Sequence, residues 1–269
     1  MFPLAGKKLP TSIDELQTAL NDALTDVFTL PGDNSGVKIT GTSLPSIKTV
    51  RIDLDDAAIS ATKPPPKPLG TGKREPGPKV ERLELSAQPI RYEQARLNLK
   101  LSAAGLKFDF DRDKRGQPLL VLTDAESGKV DARITKDDLT KLLTEAATLA
   151  AKQQGVTVQD VDLKLTSSGK RAVEADVRVK ARKMLVSGVV HITARLDIDD
   201  ELNATVSNLN VEGEGIVGST AAALLQKKVK QYDGTTIPLM AFSLGDLTLR
   251  DLKIDVKKDL HVTASFGSA

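Results

Sequence analysis

The sequence predicts an α+β fold: one elongated domain over residues 1–269, in which a long, strongly curved antiparallel sheet wraps two long amphipathic helices, with a third, shorter helix. Three observations carry this. Most of the chain alternates apolar and polar residues with period two, the mark of half-buried strands. Three segments instead repeat their apolar residues at helical spacing. Four strand patterns follow one another from about Val156 to Val211 with no helix between, and short turns between consecutive strands make an antiparallel meander.

The first helix is announced by Thr11-Ser12-Ile13-Asp14-Glu15, a capping box with Ser12 and, three residues on, Glu15. Ile13, Leu16, Leu20, Leu24, Val27 and Phe28 then share one face. The second begins at Thr135, with Asp138 three residues on, and its stripe is Leu139, Leu142, Leu143, Ala146, Ala147 and Ala150. The third follows Gly218-Ser219, with Val217, Ala221, Leu224, Leu225, Val229 and Tyr232 on one side. Lys227, Lys228 and Lys230 in its last turn suit the negative end of the helix dipole. This helix is expected to pack on the outside or to close one end.

The strands read in order as Val50-Ile52-Leu54, Val80-Leu83-Leu85, Leu106-Phe108-Phe110 and Leu119-Leu120-Val121-Leu122. Then come Val161-Leu163-Leu165, Val173 to Ala181, Val190 to Ile198 and Leu202-Ala204-Val206, with Leu252-Ile254-Val256 and Leu260 to Phe266 at the end. Two of these runs are about 12–14 residues long, beyond the usual five or six. Ala and Val dominate their apolar face, which suits a tightly curling sheet. Residues 62–79 break the pattern with six of the chain's 13 prolines and are expected to form an extended, mobile, basic loop. The two helix-initiating stretches, at Thr11 and Thr135, resemble each other and hint at a duplicated helix-plus-sheet unit.

Composition excludes several functions. Lys plus Arg is 38 and Asp plus Glu is 36, so the body is not the basic one of a general nucleic-acid binder. Aromatic residues make up 3% and there is no Trp, which argues against base-stacking platforms. The absence of Cys removes disulfides, thiolate metal sites and cysteine nucleophiles. Two histidines, His191 and His261, cannot build a His-rich metal site, and by alternation both point off the core face. No apolar run reaches the length that spans a bilayer, and Met1 to Lys8 lacks the apolar core of a leader. The expected location is therefore cytoplasmic or peripheral to a membrane if the chain is whole, and periplasmic or envelope if a leader is missing.

Four motifs carry chemistry in principle. Gly213-Glu214-Gly215-Ile216-Val217-Gly218 is a literal G-x-G-x-x-G between a strand and a helix. A dinucleotide site also needs a βαβ unit, and Glu214 would sit beside the phosphates. The glycines are expected to serve backbone geometry and to bind no nucleotide, which leaves a nucleotide-dependent oxidoreductase as a distant alternative. Asp109, Asp111 and Asp113 space like calcium ligands, but Lys114 and Leu120 stand where that loop needs Gly and Glu. Asp197, Asp199, Asp200 and Glu201 read as a solvated acidic turn. Lys63, Lys67, Lys73 and Arg74 on the loop, with Arg178, Lys180 and Arg182 on a strand face, form basic patches that an anionic membrane surface would attract.

The second half resembles the bacterial LmeA-like phospholipid-binding family. The likeness begins at Gly128-Lys129-Val130-Asp131-Ala132-Arg133-Ile134-Thr135, where a strand runs into the helix of Asp137-Asp138-Leu139. It continues through the strands around Val177 and Ile192 and ends in Ile237-Pro238-Leu239-Met240 and Leu247 to Ile254. The family resembles the tubular lipid-binding superfamily, in which a curved antiparallel sheet wraps a helix and leaves an apolar groove. The resemblance implies non-enzymatic binding, and transfer, of a phospholipid or other long apolar ligand, with no cofactor and no catalytic residue, in a role at the bacterial envelope. Leu139, Leu142, Leu143 and Ala146 of the helix and Val177, Val179, Ile192 and Ala194 of the strands are the expected lining. The alternative is a structural or interaction protein whose groove is filled by its own side chains.

Overall fold

The computed structural model of the protein describes residues 1–32, 35–59, 69–152, 155–198, 203–230, 233–238 and 249–267. Among the described residues the fold is α+β, mostly sheet, with three helices, and its sheets are open rather than closed into barrels. The chain divides into two compact units. The first comprises Met1–Ala132, Phe242–Asp251 and Thr263–Ala269, and the second Arg133–Ala241 and Leu252–Val262.

The first unit opens with β1 (Phe2–Pro3), α1 (Ile13–Thr25), β2 (Phe28–Thr29), β3 (Val37–Ser43) and β4 (Ser46–Asp53). It continues with β5 (Ala58–Ile59), β6 (Glu75–Tyr92), β7 (Ala95–Arg112), β8 (Pro118–Asp124) and β9 (Ser127–Thr135), whose last residues enter the second unit. The capping box forms as its sequence requires. Ser12 Oγ accepts from the Glu15 N–H at 3.2 Å, and the Glu15 carboxylate accepts from the Thr11 N–H at 2.7 Å and hydroxyl at 2.9 Å. Those Thr11 bonds hold the Glu15 carboxyl below its ordinary range.

Leu16, Leu20, Ala23 and Leu24 then bury the apolar face of α1. They join Val37 and Ile39 of β3 and Ile47 of β4 in a core that extends through Val80 and Leu106 to Phe110. Beside that face, Gln17 Oε1 accepts from the Ile39 N–H at 2.7 Å and Asn21 Oδ1 from the Val37 N–H at 2.9 Å. Because β3 ends the strand order β9-β7-β6-β4-β3, these two amides cover an open sheet edge.

The strands form two sheets rather than the one long sheet that the pattern predicts, and within the first unit two features depart from an uninterrupted antiparallel ladder. β4 and β6 pair in parallel, Val50 opposite Leu83 and Ile52 opposite Leu85. The long connection of residues 54–74 makes this possible, since parallel neighbours need a crossover rather than a tight turn. The second departure is the proline-rich segment. Lys63, Lys67 and the rest of 62–68 lie outside the described residues, but Glu75-Pro76-Gly77-Pro78-Lys79 is the start of β6 and not loop. The ladder slips between Pro76 and Lys79, which accommodates prolines that cannot donate. Gly77 passes so close to β7 that a Cβ there would stand 2.7 Å from the Phe108 carbonyl oxygen. β6 and β7 span 18 residues each, longer than any run the alternation marks out.

The second unit contains α2 (Lys136–Lys152), β10 (Thr157–Ser167), β11 (Ala172–Lys183), β12 (Val186–Ile198), β13 (Asn203–Glu214), α3 (Gly215–Val229) and β14 (Thr236–Pro238). The sheet order is β10-β11-β12-β13-β14, antiparallel throughout, as expected from the run of strands without a helix. β15 (Leu249–Val256) and β16 (Asp259–Phe266) close the chain, and each runs across the division between the units.

Replacing Gln17 and Asn21 together by Ala leaves two edge N–H groups without their acceptors, part-buried beside the core. The expected loss is about 1–3 kcal/mol in urea denaturation, against no measurable loss for Lys48→Ala on the exposed side of β4.

Candidate functional site

The second unit starts from a helix built like α1. Thr135 Oγ1 accepts from the Asp138 N–H at 3.0 Å and donates to Asp138 Oδ2 at 2.7 Å, so the cap is closed from both sides. Lys141 adds an ion pair to Asp138 at 3.0 Å. Thr140, Thr144 and Thr148 donate to the carbonyls four residues back, which keeps one face of the helix polar. The apolar stripe is where α2 parts from α1. Leu139, Leu142 and Leu143 are only half-buried, Ala146 and Leu149 are exposed, and Asp138 is the one buried side chain of the helix. α1 and α2 each pack along the first strand that ends their sheet, β3 and β10, yet the first seals its apolar face and the second does not.

The sheet face is incompletely buried in part, although Val161 and Leu163 of β10 and Val190 of β12 are buried on it. Val177, Val179, Ile192 and Ala194 share one face, with Val177 opposite Ile192 and Val179 opposite Val190, and all four are half-buried. α3 takes part of this face: Val179 and Ile192 pack with Val190, Val211 and Ala222. The candidate lining is therefore divided. Val179 and Ile192 go to α3, while Val177 and Ala194 lie outside that cluster and the α2 leucines belong to the helix beside β10.

α3 sits where it does because of glycine. A Cβ on Gly218 would strike the Val189 carbonyl, one on Gly213 would strike the Gly218 carbonyl, and one on Gly188 would strike the Gly218 amide. These residues let the helix backbone lie directly on β12 and β13. That contact rotates the buried face of α3 to Gly218, Ala222 and Leu225, and it turns Leu224, expected in the apolar stripe, toward solvent. The strand after α3, β14, pairs antiparallel with β13, so the glycine motif does not stand in a βαβ unit. Gly215, at φ +73°, is the one motif glycine that needs the left-handed region.

The opposite face of the sheet is polar. Arg195 binds Asp197 at 2.6 Å, Glu174 at 2.7 Å and the Ser168 hydroxyl at 2.8 Å, and the Asp197 bonds hold its carboxyl low and the guanidinium high. His191 Nε2 stands 2.6 Å from Asp176, whose carboxylate also lies 3.8 Å from Arg178. A shallow depression of about 360 Å³ on this side is lined by Lys164, Glu174, Asp176, Thr193 and Arg195. Arg178, Lys180 and Arg182 are exposed along β11, and Lys73 and Arg74 are exposed in the first unit.

The acidic motifs resolve into hairpin architecture. Asp111 is 2% exposed and accepts from the Arg112 N–H at 2.7 Å, the Thr71 hydroxyl at 2.9 Å and the Gly72 N–H at 3.0 Å. Burial opposes its charge, but these donors outweigh it and hold the carboxyl below its ordinary range. Asp113 accepts from the Arg115 and Gln117 N–H groups, both at 2.8 Å, and so closes the turn before β8. Asp199, Asp200 and Glu201 lie outside the described residues. Among the described residues, no three His, Asp or Glu stand where they could hold a metal ion.

Sequence reasoning missed the tip of the β11–β12 hairpin. Met184 and Leu185 form its two-residue turn, and both are 88% exposed. The available signal was Lys183-Met184-Leu185-Val186, an apolar tip with none of the Gly or Asn that such turns favour. No family model, curated protein or solved structure matches the chain.

Two outcomes follow. Gly218→Ala should lift α3 from β12 and destabilise the second unit by about 1–3 kcal/mol, read as a lowered thermal midpoint that Ala223→Ser on the outer side of the helix does not show. Asp111 contributes stability that is fully present above the ordinary Asp range near 4 and is lost as pH falls through its lower folded value. Stability measured from pH 6 to pH 2 should therefore fall less steeply in Asp111→Asn than in the parent.

Proposed function

We propose that the second unit binds a phospholipid or another long apolar ligand against the incompletely covered apolar faces of α2 and the β10–β13 sheet, without catalysing a reaction on it. The observation that carries this reading is the contrast between the helices. The capped, amphipathic helix of the first unit buries Leu16, Leu20, Ala23 and Leu24, whereas its counterpart leaves Leu139, Leu142, Leu143 and Ala146 partly or wholly accessible. Apolar surface left open on a helix and a sheet of one unit is what a ligand held by apolar burial requires, and such a site needs few polar groups. Ala175 and Ala194, small and half-buried on the sheet face, leave room above the strands. α3 already occupies Val179 and Ile192, and Val161 and Leu163 of β10 are buried, so the ligand would lie over Val177 and Ala194 beside the accessible stripe of α2. Such a site would be the counterpart of the apolar groove that the likeness to the tubular lipid-binding type leads one to expect.

The same packing of α3 favours one competing reading, a scaffold whose sheet face is covered by its own helices. Native mass spectrometry of the purified protein separates the two. The carrier reading expects a co-purifying apolar ligand of lipid mass and, after delipidation, uptake of a fluorescent phospholipid at about one per chain. Leu143→Trp with Val177→Trp should abolish that uptake while leaving the thermal midpoint within a few degrees. A ligand-free protein that takes up no labelled phospholipid establishes the scaffold.

A further inference from the structure

We infer that the β11–β12 hairpin is a membrane-docking element, which inserts Met184 and Leu185 into an anionic bilayer while Lys180, Arg182 and Lys183 meet the lipid phosphates. The inference rests on the lipid-binding reading for its purpose, but its evidence is separate. Met184 and Leu185 are both 88% exposed, and Val186 beside them is 44% exposed. Two large apolar side chains at a hairpin tip are costly in water and add nothing to a core. The backbone compounds this, because Met184 holds φ +54°, a conformation that such turns normally assign to Gly or Asn. Arg182 stabilises the turn by donating from Nε to the Met184 carbonyl at 2.6 Å, so the tip is presented rather than loose.

A second element presents apolar surface at the same end. Gly215 packs against the strand just past the tip, with Ser187 O 3.1 Å from where its Cβ would be, and the next residue, Ile216, is 76% exposed. Met184, Leu185 and Ile216 therefore project from one end of the second unit.

The surrounding charge identifies the partner. Lys180, Arg182 and Lys183 are exposed just behind the tip, and neither lysine is held in an ion pair among the described residues. Two acids lie near, Asp160 opposite Lys180 and Glu214 opposite Val189, both set back from the turn. An apolar point with a basic collar matches the two layers of an anionic bilayer, acyl chains beneath phosphates. It does not match a stable protein interface, which needs about 800 Å² from each partner, more than a two-residue turn and one isoleucine offer.

The chain has no Trp, so Leu185→Trp places a single reporter at the tip. With vesicles of equal phosphatidylglycerol and phosphatidylcholine its emission should shift to the blue, with a much smaller shift on pure phosphatidylcholine and reversal as salt rises. Tyr92→Trp, at an exposed turn of the first unit, should not shift. Met184→Ser with Leu185→Ser should reduce co-sedimentation with the anionic vesicles at least tenfold, and Lys180→Ser with Lys183→Ser about three- to tenfold. Uptake of monomeric labelled phospholipid by the Met184→Ser, Leu185→Ser variant is measured in parallel. Retained uptake with lost vesicle binding supports docking as a separate step. Vesicle binding without uptake in the parent sinks the carrier reading and leaves docking standing. An unshifted Leu185→Trp spectrum, or undiminished sedimentation of the serine variant, overturns the proposal and directs attention to a protein partner for the tip.

Discussion

An open sheet leaves one row of N–H groups and one apolar face without partners at its edge, and in the first unit a single helix answers both needs. The leucines of α1 cover the face while Gln17 and Asn21, one turn apart, accept from the Ile39 and Val37 N–H groups. The rest of the unit depends on this. With β3 held in register, β4 can pair on its inner side and present Val50 and Ile52 to β6 in a parallel ladder. The second unit uses the same cap and helix, but the residues that correspond to Gln17 and Asn21 in spacing from the cap are Thr140 and Thr144. Their hydroxyls bond within the helix instead. The two units thus share an opening move and differ in how far the helix is committed to its sheet.

Much of the fold was legible because it rests on local signals. The capping box of α1, the start of α2 at Thr135 and the β10–β13 meander follow from residue spacing alone, since cap geometry and strand alternation are short-range. The parts that were not legible depend on contacts between distant segments. Nothing near Ile52 announces that Leu85 will lie beside it in parallel. The prolines of Glu75 to Lys79 read as loop because a strand that tolerates them needs a slipped ladder and a close neighbour, Phe108, that no local window contains.

The candidate site divides along the same line. The apolar faces of α2 and β11 were readable from periodicity. Which helix would cover which part was not, because Gly188, Gly213 and Gly218 set the position of α3 through backbone contacts. The glycine motif drew attention for the chemistry of its spacing, when its meaning lay in three close approaches, one of them to a glycine outside the motif. Leu224 was misplaced for the same reason: a helix seated on glycine buries the face that carries glycine. The hairpin tip escaped because alternation describes the strands and is silent on the two residues between them.

The division of the chain has a consequence for its synthesis and for any dissection of it. Neither unit is one continuous stretch: Phe242–Asp251 and Thr263–Ala269 belong with the amino-terminal half, and Leu252–Val262 belongs with the middle. As the chain leaves a ribosome the first unit therefore waits for residues made after nearly all of the second, so the order of emergence is not the order of completion. A cut after Ala241 removes material from both units at once. Isolating either one calls for a rewired polypeptide, with its separated stretches joined by new linkers, rather than a shorter version of this one.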